Sequence, residues 1–96
     1  MIAEGTKTVS SAGTAERLSA TDVYVFWLTI QADPSNTGNV YLGGDSVSSS
    51  SGIQLAPGDS HHFPPISRYY VYNLKNIWVD VGEDGEGVKY IAEQRY

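Results

Sequence analysis

Apolar residues recur at every second position in this chain, most clearly from Val23 to Ala32. There Tyr24, Phe26, Leu28, Ile30 and Ala32 share one face, and Val23, Val25, Trp27, Thr29 and Gln31 share the other. A period of two predicts a strand with the first set in the core. The second set begins apolar and turns polar, so half of this strand is expected to be covered on both faces. β-branched and aromatic residues dominate it, which disfavours a helix.

Weaker versions of the pattern run along the rest of the chain. Lys7-Thr8-Val9 and Arg17-Leu18-Ser19 predict short strands on either side of a turn at Gly13, and residues 1–6 read as a loose arm. Pro34 stops the long strand, and Asn36 and Gly38 tolerate the positive φ of a sharp reversal. Val40-Tyr41-Leu42 is the next strand. Gly43-Gly44 kinks it, with Asp45-Ser46-Val47 as an extension beyond, and Ser48 to Gly52 is a surface link. Ile53-Gln54-Leu55 alternates, and Pro57-Gly58 fits the middle of a type II turn.

Asp59 to Phe63 reads as a strand closed by Pro64-Pro65, and Tyr69 to Asn73 is rich in β-formers. In Asn76 to Val81, the residues Ile77, Val79 and Val81 are expected inside, with Trp78 and Asp80 outside. Gly82 to Gly87, with Asp84-Gly85 at its centre, predicts a hairpin into a returning strand carrying Val88, Tyr90 and Ala92. Gln94-Arg95-Tyr96 reads as a tail. Seven to nine short strands and no helix predict an all-β fold, an antiparallel β-sandwich or small barrel.

Length and charge narrow the function. Ninety-six residues imply a single domain over 1–96, one small enough to be marginal alone. The chain has no cysteine, so no disulfide or thiolate chemistry is available. Net charge is -5, and the basic residues Lys7, Arg17, Arg68, Lys75, Lys89 and Arg95 are scattered. Nucleic acid and anionic membranes are therefore disfavoured as partners. The longest apolar run is too short to span a bilayer, and the start lacks the features of a signal peptide. A protein that stays in the cell where it is made is the expectation, and release by lysis fits equally.

Seven tyrosines, two tryptophans and two phenylalanines exceed what one small core needs. Tyr70 and Tyr72 share one face of their segment, and Tyr69 takes the other. Trp27 and Trp78 each lie opposite the better apolar face of their strand. Trp27, Tyr69, Tyr70, Tyr72 and Trp78 are accordingly the candidate interface residues.

Sites of chemistry are harder to find. Asp59-Ser60-His61-His62 holds the residue types of a triad, but adjacent strand histidines point to opposite faces and cannot easily share a metal. Asp80, Glu83, Asp84 and Glu86 lack the alternating spacing of a calcium loop and read as a solvated hairpin tip. The glycine-rich stretches have no following lysine or helix to make a phosphate loop. The expectation is no enzyme, no cofactor and no metal.

One resemblance covers residues 8 to 92. Its residues are Gly13-Thr14-Ala15 with Leu18, Ile30 through Gly44, Gly52 through Asp59, Leu74 to Val81 and Gly87 to Ile91. Together they resemble a family of small β-sandwich structural proteins of tailed bacteriophage virions. The resemblance implies a jelly-roll-like sandwich acting as a head decoration or minor capsid protein. It implies no catalytic residues, and partners that are copies of the chain itself (a homotrimer, or else a dimer) and the major capsid protein. The protein would then reside in the virion, assembled in the host bacterial cytoplasm. The alternative from the exposed aromatics is a carbohydrate- or receptor-binding module of a fibre or tail.

Overall fold

Nine strands form among residues 1–95, the residues described by the computed structural model. They are β1 (Ile2–Thr8), β2 (Glu16–Arg17), β3 (Tyr24–Ala32), β4 (Val40–Gly43), β5 (Ile53–Leu55), β6 (Ser60–Phe63), β7 (Tyr72–Asn73), β8 (Trp78–Val81) and β9 (Gly87–Gln94). A single 3₁₀ turn, Leu74–Asn76, precedes β8. Tyr96, read as part of a tail, lies outside the described residues, whereas Gln94 belongs to β9 and the Arg95 N–H donates to the Tyr24 carbonyl at 2.8 Å.

All pairing is antiparallel, and one rule organises most of it. Partner numbers sum to 95 at Ile2↔Glu93, Glu16↔Val79 and Val40↔Leu55. The chain is thus one long hairpin, its tip near the serine run, rolled up so that successive pairs fall in alternate sheets. The first sheet has the order β1-β9-β3-β6, with β7 also paired to β3, and the second is β2-β8-β4-β5. This is a jelly roll, the two-sheet solution for an all-β chain. Val9, Leu18, Leu28, Ile30, Val40, Leu55, Val79, Val81, Val88 and Ala92, drawn from both halves of the roll, form one apolar cluster between the sheets.

Several expectations need correction. The arm is not loose, because Ile2–Thr8 is a seven-residue strand paired along its whole length with β9. Gly5 makes room there for the Tyr90 ring, so a residue that looks like a strand breaker is a packing site. In β3 the register shifts between Val25 and Trp27. This bulge inserts one residue and re-aims the strand, so Val25 joins Leu28, Ile30 and Ala32 in the core while Tyr24 turns out. The expected hairpin at Gly82–Gly87 is instead a crossing between sheets, since β8 pairs with β2 and β4 while β9 pairs with β1 and β3. Val81 and Val88 at its two ends drop into the core from opposite sides.

Asp45 to Val47 does not extend β4; it forms a turn closed by the Val47 N–H on the Gly44 carbonyl. Neither Asn36 nor Gly38 takes a positive φ. The Asp33–Asn36 reversal uses the fixed φ of Pro34 instead, with the Asn36 N–H donating to the Asp33 carbonyl. The Pro57-Gly58 turn is as expected: Gly58 has φ of 86°, and the Asp59 N–H closes on the Ala56 carbonyl at 2.9 Å. No helix of the described residues is long and apolar enough to cross a membrane.

Candidate functional site

β6 and β7 both pair with the same side of β3, β6 at Leu28–Gln31 and β7 at Tyr24–Val25. The connection between them, 64–71, must leave the sheet edge and come back. Pro64 and Pro65 cannot donate to a ladder, which ends β6 and forces this departure. The loop returns through a tight turn, with the Tyr70 N–H on the Ser67 carbonyl and the Tyr69 N–H on Ser67 Oγ.

Both feet of the loop are fixed by aromatic packing. Phe63 meets His61 edge-on at 4.8 Å and Tyr72 at 5.5 Å, and Tyr72 meets Tyr70 at 6.4 Å. Edge-to-face contacts of this kind add specificity to area burial. The Tyr72 hydroxyl donates to the Pro64 carbonyl at 2.7 Å, tying one foot to the other. On this base the loop displays Ile66, Tyr69 and Tyr70, which are 61%, 88% and 56% exposed, with Arg68 among them. Beside the loop, an apolar depression of about 330 Å³ opens between the two sheet edges. It is lined by Leu42, Ile53, Phe63 and Ile77 with Gly43, Gly44 and Asn76.

Of the five candidate interface residues, the structure brings together Tyr69, Tyr70 and Tyr72 only. Trp27 lies on the outer face of the first sheet, where its Nε1 donates to Glu93 at 3.1 Å and its ring is 6.2 Å from that of His62. Trp78 is in the second sheet, and the Arg17 guanidinium covers its ring at 4.7 Å. Ile66 was missed by periodicity, because an isolated residue after two prolines has no strand pattern to belong to. Pro64-Pro65 was the signal that could have marked it as a projecting loop.

The residues with chemical potential do other work. His61 and His62 face opposite ways as expected: His61 meets Phe63 edge to face, and His62 Nδ1 shares a hydrogen bond with Thr29 Oγ1 at 2.8 Å. Among the described residues no cluster of three metal-ligating side chains exists. Residues 82–85 are exposed, as expected of a solvated tip, but three of the four carboxylates in the acidic stretch also accept backbone N–H groups. Asp84 takes Ala12, Asp80 takes Gly13 and Val81, and Glu86 takes Thr37 and Gly38. Asp80, expected outside, is only 1% exposed, since it is drawn in by these two donors. The Gly38 and Thr37 N–H groups hold the Glu86 carboxyl below its ordinary pKa. Asp33 is lowered by the Ser35 N–H and hydroxyl, and Glu16 by Lys7 and the Ser10 N–H.

Compared with family models, curated proteins and solved structures, the chain matches none.

Proposed function

We propose that the protein is a non-enzymatic structural component of a tailed-phage virion, a decoration or minor capsid protein that docks on the lattice of the major capsid protein. It works in the virion after assembly in the host bacterial cytoplasm. The observation that carries this reading is the Ile66–Tyr70 loop, a braced apolar and aromatic projection with one arginine. Exposed apolar surface on a small protein marks an interaction site, and Tyr and Arg are the residues that concentrate binding energy there. The jelly roll and the resemblance of residues 8 to 92 to phage virion proteins support this choice of partner class. A module that binds only the assembled shell stabilises it by mass action.

A sugar-binding module would use open aromatic faces. Trp27 and Trp78, the strongest stackers in the chain, are engaged by Glu93 and Arg17. That reading is left with Tyr69 and Tyr70, which serve a protein contact equally well.

The test is sedimentation of the protein with empty shells assembled from the phage's major capsid protein. The wild type is expected in the pellet with the shells. Tyr69→Ser together with Tyr70→Ser should weaken binding by at least about tenfold, since interface tyrosines are worth 1–2 kcal/mol or more each. Replacing His61 and His62 by Gln should leave binding unchanged. A wild-type protein that stays in the supernatant overturns the proposal.

A further inference from the structure

We infer that the outer edge of β1 pairs with the same edge of a second copy, joining two five-stranded sheets into one continuous ten-stranded sheet across a two-fold axis.

β1 is an edge strand, and at seven residues it is the longest edge in either sheet. The Met1 carbonyl accepts from the Gln94 N–H, and the Val9 N–H donates to the Glu86 carbonyl. The register between these points is unbroken. Hydrogen-bonding direction alternates along an antiparallel strand, so the odd residues bond β9 and Ile2, Glu4, Thr6 and Thr8 direct their N–H and C=O groups away from the protein. Such a row is a template for another strand. Two of the usual protections are missing, since β1 has no proline and no bulge, and its outward charge, Glu4, is one that a partner's lysine can meet. Its one lysine, Lys7, is turned to Glu16 Oε1 at 2.9 Å instead of guarding the edge.

The chain itself selects a second copy and one register. A two-fold normal to the sheet keeps outward residues outward, and pairing about Gly5 uses all seven residues. It sets Ile2 against Thr8, Ala3 against Lys7 and Glu4 against Thr6. Shifting the centre to Glu4 would place two carboxylates face to face, which is destabilising. At the centre two glycines form a close, non-hydrogen-bonded pair, with no Cβ of their own to collide across the axis. The Tyr90 ring lies over Gly5, its hydroxyl 2.5 Å from where a Cβ would stand, so two partly buried rings flank the axis. Charge agrees as well. Thr6 is opposite the exposed Lys89 in β9, so in the dimer each Glu4 lies in one row with the partner's Thr6 and Lys89 and reaches that lysine across the small threonine.

This dimer does not depend on the virion reading, and it leaves the Ile66–Tyr70 loop free on the opposite edge of the sheet. The test is molecular mass by sedimentation equilibrium across a wide concentration range, with wild-type protein and Thr6→Pro. Among the described residues the Thr6 N–H, on the outer side of β1, has no partner, so proline removes a donor from the free edge and leaves the β1–β9 ladder whole. Wild-type mass should rise from 10.4 kDa to twice that value with concentration, while Thr6→Pro stays at one chain and melts at the temperature of dilute, one-chain wild type. Glu4→Lys and Lys89→Glu should each weaken association about fivefold, as loss of two exposed ion pairs implies, and the two together should restore it. A wild type that stays one chain throughout, a limiting mass of three chains, or a folded Thr6→Pro that associates like wild type overturns the inference. If Thr6→Pro does not fold, single charge variants that associate unchanged overturn it. Tyr69→Ser with Tyr70→Ser should dimerise normally, so failure of the edge and failure of shell docking are separate results.

Discussion

Single carboxylates hold the loops of this protein together. Asp80 is the clearest case, a buried acid that accepts the Gly13 N–H at 2.9 Å and the Val81 N–H at 2.8 Å. Asp80→Ala leaves the buried Val81 N–H without this partner and releases the exposed Gly13 loop, and should cost about 1–3 kcal/mol, read from the urea midpoint. Glu86 pins the β3–β4 loop to the crossing that leads into β9. Glu16, Asp33 and Glu86 all have folded pKa values below those of the unfolded chain. Each therefore contributes stability above the ordinary carboxylate range, and loses it as pH falls through its lowered folded value. The urea midpoint should be flat near neutrality and fall in acid, and Glu86→Gln should make that fall shallower. Periodicity put Asp80 outside because an alternating pattern cannot see two backbone donors waiting behind the strand. The same blindness applies to Asn36, whose buried amide exchanges hydrogen bonds with the backbone of Gly87.

At the scale of elements, the sequence showed strands better than it showed what they pair with. β3, β4, β5, β8 and β9 were legible because Val, Ile, Tyr and Trp alternate in them. The bulge at Val25–Trp27 was hidden, since one inserted residue changes which face is inside without changing the composition. Only the end of β1 was legible, in Lys7-Thr8-Val9; the rest was hidden because Ala3 and Gly5 on its inner face look nothing like a core strand. The Asp84-Gly85 crossing was misread for a physical reason: a tight turn fixes only the local reversal, and sheet membership is decided by the more distant partners of β8 and β9. Gly87 reports how closely those partners approach. A Cβ there would collide with the Lys7 carbonyl and lie 2.7 Å from Thr8 Cα. Gly87→Ala should therefore cost at least about 2 kcal/mol by forcing β1 away from β9, measurable as a lowered denaturant midpoint. Of the candidate site, the tyrosine cluster was legible as an aromatic surplus. Trp27 and Trp78 were not separable from it, because exposure and covering contacts are tertiary facts.

Over the whole molecule, the rolled-up hairpin places residues near the two ends of the described chain side by side in the first sheet. Contacts of that sequence separation close late, so refolding should take milliseconds to seconds in stopped-flow fluorescence of the two tryptophans. The same roll separates two surfaces. The bare β1 strand lies at one edge of the first sheet, and the aromatic loop between β6 and β7 lies at the other. The proposed function and the proposed dimer would each use one of these surfaces, the loop for the shell and the β1 edge for a second copy. The shell contact is the central claim, and co-sedimentation with empty capsid shells tests it most directly. The account predicts that wild-type protein pellets with the shells and that Tyr69→Ser with Tyr70→Ser, folded and equally stable, largely does not. Wild-type protein left in the supernatant, or a double variant that pellets as well as wild type, would contradict it.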